Sequence, residues 1–508
     1  MAQKTSLQKP SGHGFGNDIM ASFVVFLVAL PLCMGVSIAS GLPPTAGIMT
    51  GIVGGLLVGF LAGSPLQVSG PAAGLTVLVW QLLQQYGLGT LGVIILLAGL
   101  IQIAAGVLKL GQWFRAVSPA VIHGMLAGIG VLIFASQLHV MLDGKPIGNG
   151  IDNLLALPAG LSHAFSGGGP ALHAFGIGLL TIAVIAGWTS FAPKKLKMLP
   201  GPLIAVIVSV IAAAAFKLDI HYVDVSDHIW SVIQWPQWES LKRVIETPIL
   251  LAAVSVAFIA SAETLLCASA VDQMHQGPRT KYDRELLAQG VGNAVCGVLG
   301  VLPMTGVIVR SSANVDAGAK TRVSAIVHGA WLLLFVVVLP FTLRYIPVAS
   351  LAGILVFTGY KLAYPKALPQ LLKFGRSEVA IYLSTILVIV AEDLLKGVVF
   401  GLLLSLFKLL YVFSRLHIER DDDAATNQVH LRLSGSATLI RLPMLAAALE
   451  EVLPKTEVFI HFEKLDYIDH ACLDLLTNWE RQHCAAGGNL VIEWDELAWK
   501  YHQRRSTS

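Results

Sequence analysis

The stretch LQVSGPAAGLTV, Leu66 to Val77, places a Gly-Pro pair inside one of the most apolar regions of the chain. A broken helix leaves backbone N–H and C=O groups unpaired, which lipid does not tolerate, so such breaks occur where the backbone lines a cavity. Ser69-Gly70-Pro71 is a favourable helix start, since a proline at the first helical position loses no hydrogen bond. The stretch LPMTGVIVRSS, Leu302 to Ser312, contains a similar break, in which Thr305-Gly306 is the corresponding helix start.

The composition indicates a membrane protein. Of 508 residues, 55% are hydrophobic and only 13% are charged. Apolar runs of about 20 residues, long enough to cross a bilayer as helices, recur from Ile19 to Phe413. The polar N-terminal segment 1–17 shows no cleavable signal, because the first apolar run is typical of a spanning helix. A formal charge of +3 does not indicate a nucleic-acid partner.

The five cysteines are scattered along the chain and form no metal-binding pair. We therefore expect no metal and no cofactor. The spans contain no metal-binding cluster and no set of catalytic nucleophiles in their sequence, so a membrane enzyme is not expected.

The apolar pattern predicts fourteen spans in two sets of seven, and the third and tenth are too short for a full crossing. The predicted spans are 18–40, 44–63, 71–87, 90–110, 117–140, 172–192, 200–218, 247–270, 284–302, 306–318, 321–345, 349–365, 377–393 and 395–415. The transmembrane domain is thus predicted at 18–415, with repeats at about 18–218 and 247–415.

Lysine and arginine set the predicted orientation. With the N-terminus in the cytoplasm, the inside loops all carry positive charge, namely GQWFR, PKKLK, QMHQGPRTKYDR, AGAKTR and KLAYPKALPQLLKFGR. The outside loops 141–171 and 219–246 contain few basic residues, and the second carries Trp230, Trp235 and Trp238 as interfacial anchors. An even number of spans returns the C-terminus to the cytoplasm.

The composition changes near Ser414, where SRLHIERDDDAATNQ is charged. Beyond it, VHLRLSG, EVFIHFE and NLVIEW are typical of strands, while RLPMLAAALEEVL and HACLDLLTNWERQ are typical of helices. Alternation of strands and helices predicts a small cytoplasmic α/β domain at 416–508.

The two breaks open the third and tenth predicted spans, seven spans apart. Odd spacing gives the two halves opposite orientations, and interrupted segments at matching places in two halves indicate a transporter site near the bilayer midplane. Two helix N-termini that face each other offer free N–H donors and positive potential, so they favour an anion. Two packing kinks are the alternative, since Gly and Pro are common in membrane helices, but the matched positions favour the site.

The chain resembles the SulP anion transporters, a family that includes animal sulfate, chloride and bicarbonate exchangers. The resemblance covers nearly the whole chain and rests on ALPLCMGVSIASGLPPTAGI, VSGPAAG, SAETLLCASAVD, DRELLAQGVGNAVCGVLGVLPMTGVIVRSSANVDAGAKT and the terminal domain, which is similar to STAS modules. It implies two inverted repeats of seven spans with half-helices in spans three and ten, a core domain moving against a gate domain, and a homodimer in the bacterial inner membrane. The STAS-like domain would serve dimer contact or folding.

By position, the resemblance implies a backbone anion site at the two breaks. The implied site residues are Gly70, Pro71, Ala72, Ala73, Gly306, Val307 and Ile308, with Arg310 as the basic residue on span ten and Leu32 and Val36 closing the pocket. Leu32 departs from the family, in which many members carry Gln, so the pocket floor is unusually apolar.

Glu263, in the middle of span eight, is the candidate for ion coupling. A carboxylate at membrane depth is costly and indicates function, and burial favours its protonated form. A salt bridge to Arg310 without a transport role is the alternative. Sodium-coupled relatives use an Asp with hydroxyl ligands, whereas the matching positions here are Cys267 and Ile308, which favours a proton over sodium.

The resulting hypothesis is that the chain is a secondary-active, proton-coupled anion transporter that works by alternating access. Its spans would contact membrane lipid. Small Ala72 and Ala73 leave room for more than chloride, and local resemblance favours bicarbonate over sulfate or a dicarboxylate such as fumarate. An anion channel or uniporter on the same scaffold and a sodium-coupled bicarbonate symporter remain open. A nucleobase transporter is disfavoured, since such relatives carry an acid on span ten, where this chain has Arg310.

Overall fold

The fold was analysed in a computed structural model that describes residues 13–112, 118–147, 150–167, 169–193, 199–224, 232–364, 368–423 and 427–492. Several predicted features lie outside these residues, namely segment 1–12, Arg115, the PKKLK lysines, Trp230 and residues 493–508 of the predicted terminal domain. The chain forms two compact units, of which the first ends at Leu402 and the second begins at Leu403.

The first unit is helical. Its earlier half contains α1 (His13–Ala39), α2 (Pro44–Val53), α3 (Gly59–Leu61), α4 (Thr76–Val107), α5 (Pro119–Met141), α6 (Gly150–Gly167), α7 (Pro170–Phe191) and α8 (Gly201–Ala215). Proline opens α2, α5 and α7, where its fixed φ suits the first turn and its missing N–H breaks no bond.

The later half is also mainly helical. It contains α9 (Trp238–Lys242), α10 (Thr247–Met274), α11 (Tyr282–Leu299), α12 (Ile308–Asp316), α13 (Val323–Val338), α14 (Val348–Ala363), α15 (Leu368–Lys373), α16 (Arg376–Ala391) and α17 (Leu394–Phe413). Each of the fourteen predicted spans coincides with helical residues in this order.

Eight helices of the described residues are long and apolar enough to cross a membrane, and the apolar helices Gly201–Ala215 and Val323–Val338 are shorter. The third and fourth predicted spans form one element, α4, which is interrupted at Gly87 with φ 75° and ψ 169°. Helix α6 was not predicted; it lies in the stretch assigned to an outside loop.

The breaks differ from the prediction in one respect. Ser69, Gly70 and Pro71 do not start a helix but form strand β1 (Ser69–Pro71), which is followed by a 3₁₀ turn over Ala73–Leu75. Likewise Thr305 and Gly306 belong to strand β2 (Met304–Gly306), and α12 begins two residues later. Pro71 is tolerated because a two-stranded ribbon has open edges, where a missing N–H costs no ladder bond.

Two groups of helices make up the first unit. Helices α1, α2, α4 and α10 to α13 pack around β1 and β2, whereas α5, α7, α8, α14 and α16 pack mainly with one another. Helix α2 and the residue after it pack closely against their neighbours because they contain glycine. A Cβ at Gly47 would lie 2.0 Å from the Cys33 carbonyl oxygen, and one at Gly54, just after α2, would lie 2.6 Å from that of Ser69. Small residues allow such close backbone approach between apolar helices.

The second unit begins within α17 and then contains strands and helices. Strands β3 (Leu416–Asp423), β4 (Gln428–Ala437), β5 (Glu457–Ile468) and β6 (Asn489–Ile492) form one sheet in that order, antiparallel between β3 and β4 and parallel elsewhere. Helices α18 (Leu442–Glu450) and α19 (His470–Ala485) contribute apolar side chains to its core. Strand β3 was not predicted, because its exposed, charged side chains resemble a linker.

Candidate anion site

Strands β1 and β2 bring the two breaks together. They pair antiparallel, with Ser69 opposite Gly306, Gly70 opposite Thr305 and Pro71 opposite Met304. The ribbon is extended by the Val307 N–H, which donates to the Val68 carbonyl at 2.9 Å. The first turns of α4 and α12 therefore begin beside each other, with first-turn N–H groups that have no intrahelical acceptor.

Arg310 lies against the first break although it belongs to the second. Its side chain is 0% exposed, and a Cβ added to Gly70 would lie only 2.1 Å from its Nη1. Gly70 therefore provides the space that the guanidinium occupies. The thiol of Cys33 on α1 is also close to this group.

The guanidinium nitrogens of Arg310 have no hydrogen-bond partner among the described residues. An unpaired charge in a buried position is strongly unfavourable. A small anion bound beside this group would supply the missing charge and acceptors.

Glu263 approaches the start of the first helix from α10. The residue is partly buried, and a Cβ at Gly74 would lie 2.8 Å from its Oε1. Its Oε2 and the Thr305 Oγ1 are both buried without a hydrogen-bond partner in the described part of the chain. Glu263 thus faces both breaks, from Gly74 to Thr305.

The remaining predicted site residues differ in exposure. Leu32 and Val36 on α1 are buried, Ala72 is buried, and Ala73 and Val307 are half-buried. Ile308 is 36% exposed, so its side chain lies away from the packed interior. Cys267 contacts the Ser311 hydroxyl at 3.6 Å.

Sequence reasoning missed the polar residues that hold the ribbon. Thr264 Oγ1 accepts from the Gly306 N–H at 3.2 Å, and Ser311 Oγ accepts from the Val68 N–H at 2.9 Å. Asn314 donates to the Leu66 carbonyl at 2.9 Å. These contacts join residues that are far apart in sequence, so the sequence does not show which residues meet. Polar residues at a regular spacing on one helix are the one local signal that could have indicated such contacts.

A separate cleft of about 400 Å³ lies between the turn that joins α1 to α2 and the ends of α5 and α8. Its lining includes Pro43, Val140, Lys145 and the ion pair between His221 and Asp143, whose atoms are 2.6 Å apart. The predicted anion-site residues do not line this cleft. It faces the side that the charge pattern assigns to the outside.

The comparisons with known proteins agree with the motifs. The model of the sulfate permease family matches residues 15–385. The chain is 30% identical over 402 residues to the putative sulfate transporter YvdB of Bacillus subtilis, which covers 77% of this chain and 73% of YvdB. It is 27% identical over 435 residues to the bicarbonate transporter BicA of Picosynechococcus, covering 82% and 74% of the two chains.

Solved structures show the same fold. The transmembrane domain of a cyanobacterial BicA superposes with a TM-score of 0.68 at 24% identity, covering 77% of this chain and 99% of that one. The murine Solute Carrier 26 family member A9 anion transporter, in its inward-facing state, gives a TM-score of 0.75 at 15% identity, covering 97% and 90%. The family resemblance drawn from the motifs is thus confirmed, and this chain belongs to the sulfate permease family.

Proposed function

We propose that the chain is a secondary-active transporter of a small anion that works by alternating access. The observation that carries this proposal is the buried, unpartnered guanidinium of Arg310 beside two helix starts that an antiparallel ribbon holds together. Helix N-termini and a desolvated arginine both favour negative charge. The anion would bind between Gly70, Pro71, Ala72 and Ala73 on one side and Gly306, Val307 and Ile308 on the other.

The proposed substrate is bicarbonate or a related small anion, such as sulfate or the dicarboxylate fumarate. Support comes from the sulfate and bicarbonate transport named for YvdB and BicA. Backbone N–H groups and one arginine recognise charge and oxygen acceptors more than shape, and apolar Leu32 and Val36 add no hydrogen bond. Selectivity would therefore depend on the space that Ala72 and Ala73 leave.

Coupling is proposed to use a proton on Glu263. A carboxyl that faces both helix starts would compete with the anion when ionised and would not when protonated. Proton binding would thus accompany anion binding and reduce the net charge that crosses the membrane. Cys267 offers sulfur where a sodium site would need oxygen, although the Thr305 hydroxyl is an oxygen close to Glu263.

The proposed architecture is fourteen spans in two inverted repeats, with half-helices after β1 and β2. Helices α1, α2, α4 and α10 to α13 would form the moving core, and α5, α7, α8, α14 and α16 the gate. Both termini would be cytoplasmic, the C-terminal unit would be a STAS-like domain, and the protein would be a homodimer in the bacterial inner membrane.

The test is uptake of labelled bicarbonate, sulfate and fumarate into proteoliposomes, with and without an inward proton gradient. Wild type is compared with Glu263→Gln, and with Glu378→Gln as a carboxylate control in the other helix group. We expect one anion to accumulate with the gradient, and we expect this to be lost in Glu263→Gln only.

Other results would point elsewhere. Equilibration that ignores the gradient and survives Glu263→Gln would indicate a channel or uniporter. Accumulation driven by a sodium gradient instead would replace the proton with sodium. Failure of all three anions to enter would overturn the proposed function.

A further inference from the structure

Helix α11 carries three polar residues on one face. Glu285, Gln289 and Asn293 are spaced four residues apart, so their side chains stack along the helix. All three are 0% exposed in the interior of the first unit. Buried polar side chains are costly unless they are hydrogen-bonded, and most of the bonds that these residues make involve the two strands or the segment that leads into β1.

Glu285 holds the segment that leads into β1. Its Oε2 accepts from the backbone N–H groups of Gly63 at 2.8 Å and Ser64 at 2.9 Å. Its Oε1 accepts from the amides of Gln67 at 3.2 Å and Gln289 at 3.1 Å. Four donors converge on this carboxyl group, so Glu285 serves as a fixed anchor.

Gln67 connects Glu285 to β2. A Cβ at Gly306 would lie 1.7 Å from the Gln67 Nε2. The Gln67 amide therefore lies directly on the backbone of the second strand, while its nitrogen is held by Glu285. Gln289 reaches β1 itself, because its Nε2 donates to the Ser69 hydroxyl.

Asn293 binds β2 as a third strand would. Its Oδ1 accepts from the Met304 N–H at 2.7 Å, and its Nδ2 donates to the Met304 carbonyl at 3.1 Å. The same Nδ2 donates to Gln102 on α4 at 2.7 Å. The helix that follows β1 is thereby joined to the residue that begins β2.

We propose that Glu285, Gln289 and Asn293 form a clamp that fixes β1 and β2 as one unit and so sets the affinity of the anion site. A two-stranded ribbon is marginally stable by itself, and here only three residue pairs form it. A binding site works when its supporting shell fixes the geometry to within about 0.5 Å. The three residues touch the strands and not the site residues' N–H groups, so they are positioning residues.

The part of this inference that concerns anion affinity rests on the proposed function. The part that concerns the rigidity of the ribbon does not. The test uses purified full-length protein and the variants Asn293→Asp and Gln289→Met, which nearly preserve side-chain volume while removing donors to the strands. Thr181→Val is the matched control. Its hydroxyl is equally buried and lies 2.8 Å from Ser209 and 3.1 Å from Ser350, in the other group of helices.

Two quantities are measured. Hydrogen exchange of the peptides that cover residues 66–76 and 301–309 reports the rigidity of the ribbon without any ligand. Binding of bicarbonate, sulfate and fumarate reports affinity. We expect faster exchange in both peptides and an affinity lower by about tenfold or more in both clamp variants, because misplacement by ~1 Å can cost ~100-fold. Thr181→Val should change neither quantity, even if it lowers the unfolding temperature as much as the clamp variants do.

Unchanged exchange in both peptides would overturn the clamp. Faster exchange with unchanged affinity would overturn the positioning role. If wild type binds none of the three anions, the proposed function fails, and the exchange comparison still decides whether the clamp exists.

Discussion

The two breaks have similar backbones but different chemistry. Each is a three-residue strand followed by a helix start, and the strands face each other in register. The first break, at β1, has no charged residue and leads into the long helix α4, whereas the second, at β2, leads into the nine-residue α12 and carries Arg310. Each break is completed by the other half, because Arg310 lies against Gly70 and Gln67 lies against Gly306.

This exchange of side chains has a physical consequence. If each break were self-contained, a change in one would affect one helix start only. Because the guanidinium of the second half occupies space made by a glycine of the first, the site exists only when both strands are in place. Four pairs of substitutions can break or sharpen this comparison.

The largest effect is expected for Arg310→Met. Removal of the unpartnered charge should lower anion affinity by about 30-fold or more, equivalent to ~2 kcal/mol. The unfolding temperature should rise or stay the same, because replacing a desolvated charge by an apolar side chain is often neutral or stabilising. Binding titration and thermal unfolding check both signs, with Arg322→Met as the control at a more exposed position. Loss of stability with full affinity would contradict the assignment.

Smaller effects are expected for Gly70→Ala and Gly306→Ala, and the two variants should differ in how far they lower affinity and stability. The new methyl at Gly70 would displace the guanidinium, so anion affinity should fall by about tenfold. The methyl at Gly306 would displace the Gln67 amide that supports the strand, so stability should fall by about 1–3 kcal/mol, and anion affinity should fall as well but by less than in Gly70→Ala. The same two measurements apply to both variants. Equal effects on affinity would show that the two halves do not differ in this way.

The next pair concerns the hydroxyls that support each strand. Thr264→Val leaves the Gly306 N–H without its acceptor, and Ser311→Ala does the same to the Val68 N–H. An unpaired buried donor costs about 1–3 kcal/mol. Amide exchange should accelerate at Gly306 in the first variant and at Val68 in the second. Acceleration at neither site would mean that water replaces the hydroxyls.

The smallest effect is expected where each half-helix ends. Gly87 has φ 75° and Gly318 has φ 88°, and a Cβ at either would meet no atom within 4 Å. Gly87→Ala and Gly318→Ala should therefore cost only about 1 kcal/mol each, from backbone strain without a clash. Thermal unfolding should show similar losses for the two, with uptake unchanged. A much larger loss at one of them would contradict a cost from backbone strain alone.

The sequence predicted the helices and the breaks because both have local signals. Runs of apolar residues and the Gly-Pro pair at Gly70-Pro71 are visible without partners. Pairing of β1 with β2 was not predictable, since three residues make too short a pattern and their partners lie more than two hundred residues away. Helix α6 and strand β3 were missed because their exposed faces carry polar or charged residues typical of loops.

The polar face of α11 had a local signal that was not used. Glu285, Gln289 and Asn293 recur every four residues in a helix that is otherwise apolar after Arg284, and this spacing alone indicates one buried polar face. What the spacing could not give is the target of each side chain. Those targets, from Gly63 to Met304, depend on how the two halves pack.

The division between lining and support bears on how this protein can evolve. Leu32, Val36, Ala72 and Ala73, the proposed lining, have apolar side chains that make no hydrogen bond, whereas α11 and the hydroxyls of Thr264 and Ser311 hold the backbone. Substitutions in the proposed lining would change the space for an anion without removing a hydrogen bond that holds the strands. New substrate preferences could thus arise by single mutations on an unchanged frame, and laboratory selection for a different anion should recover changes at these four positions first.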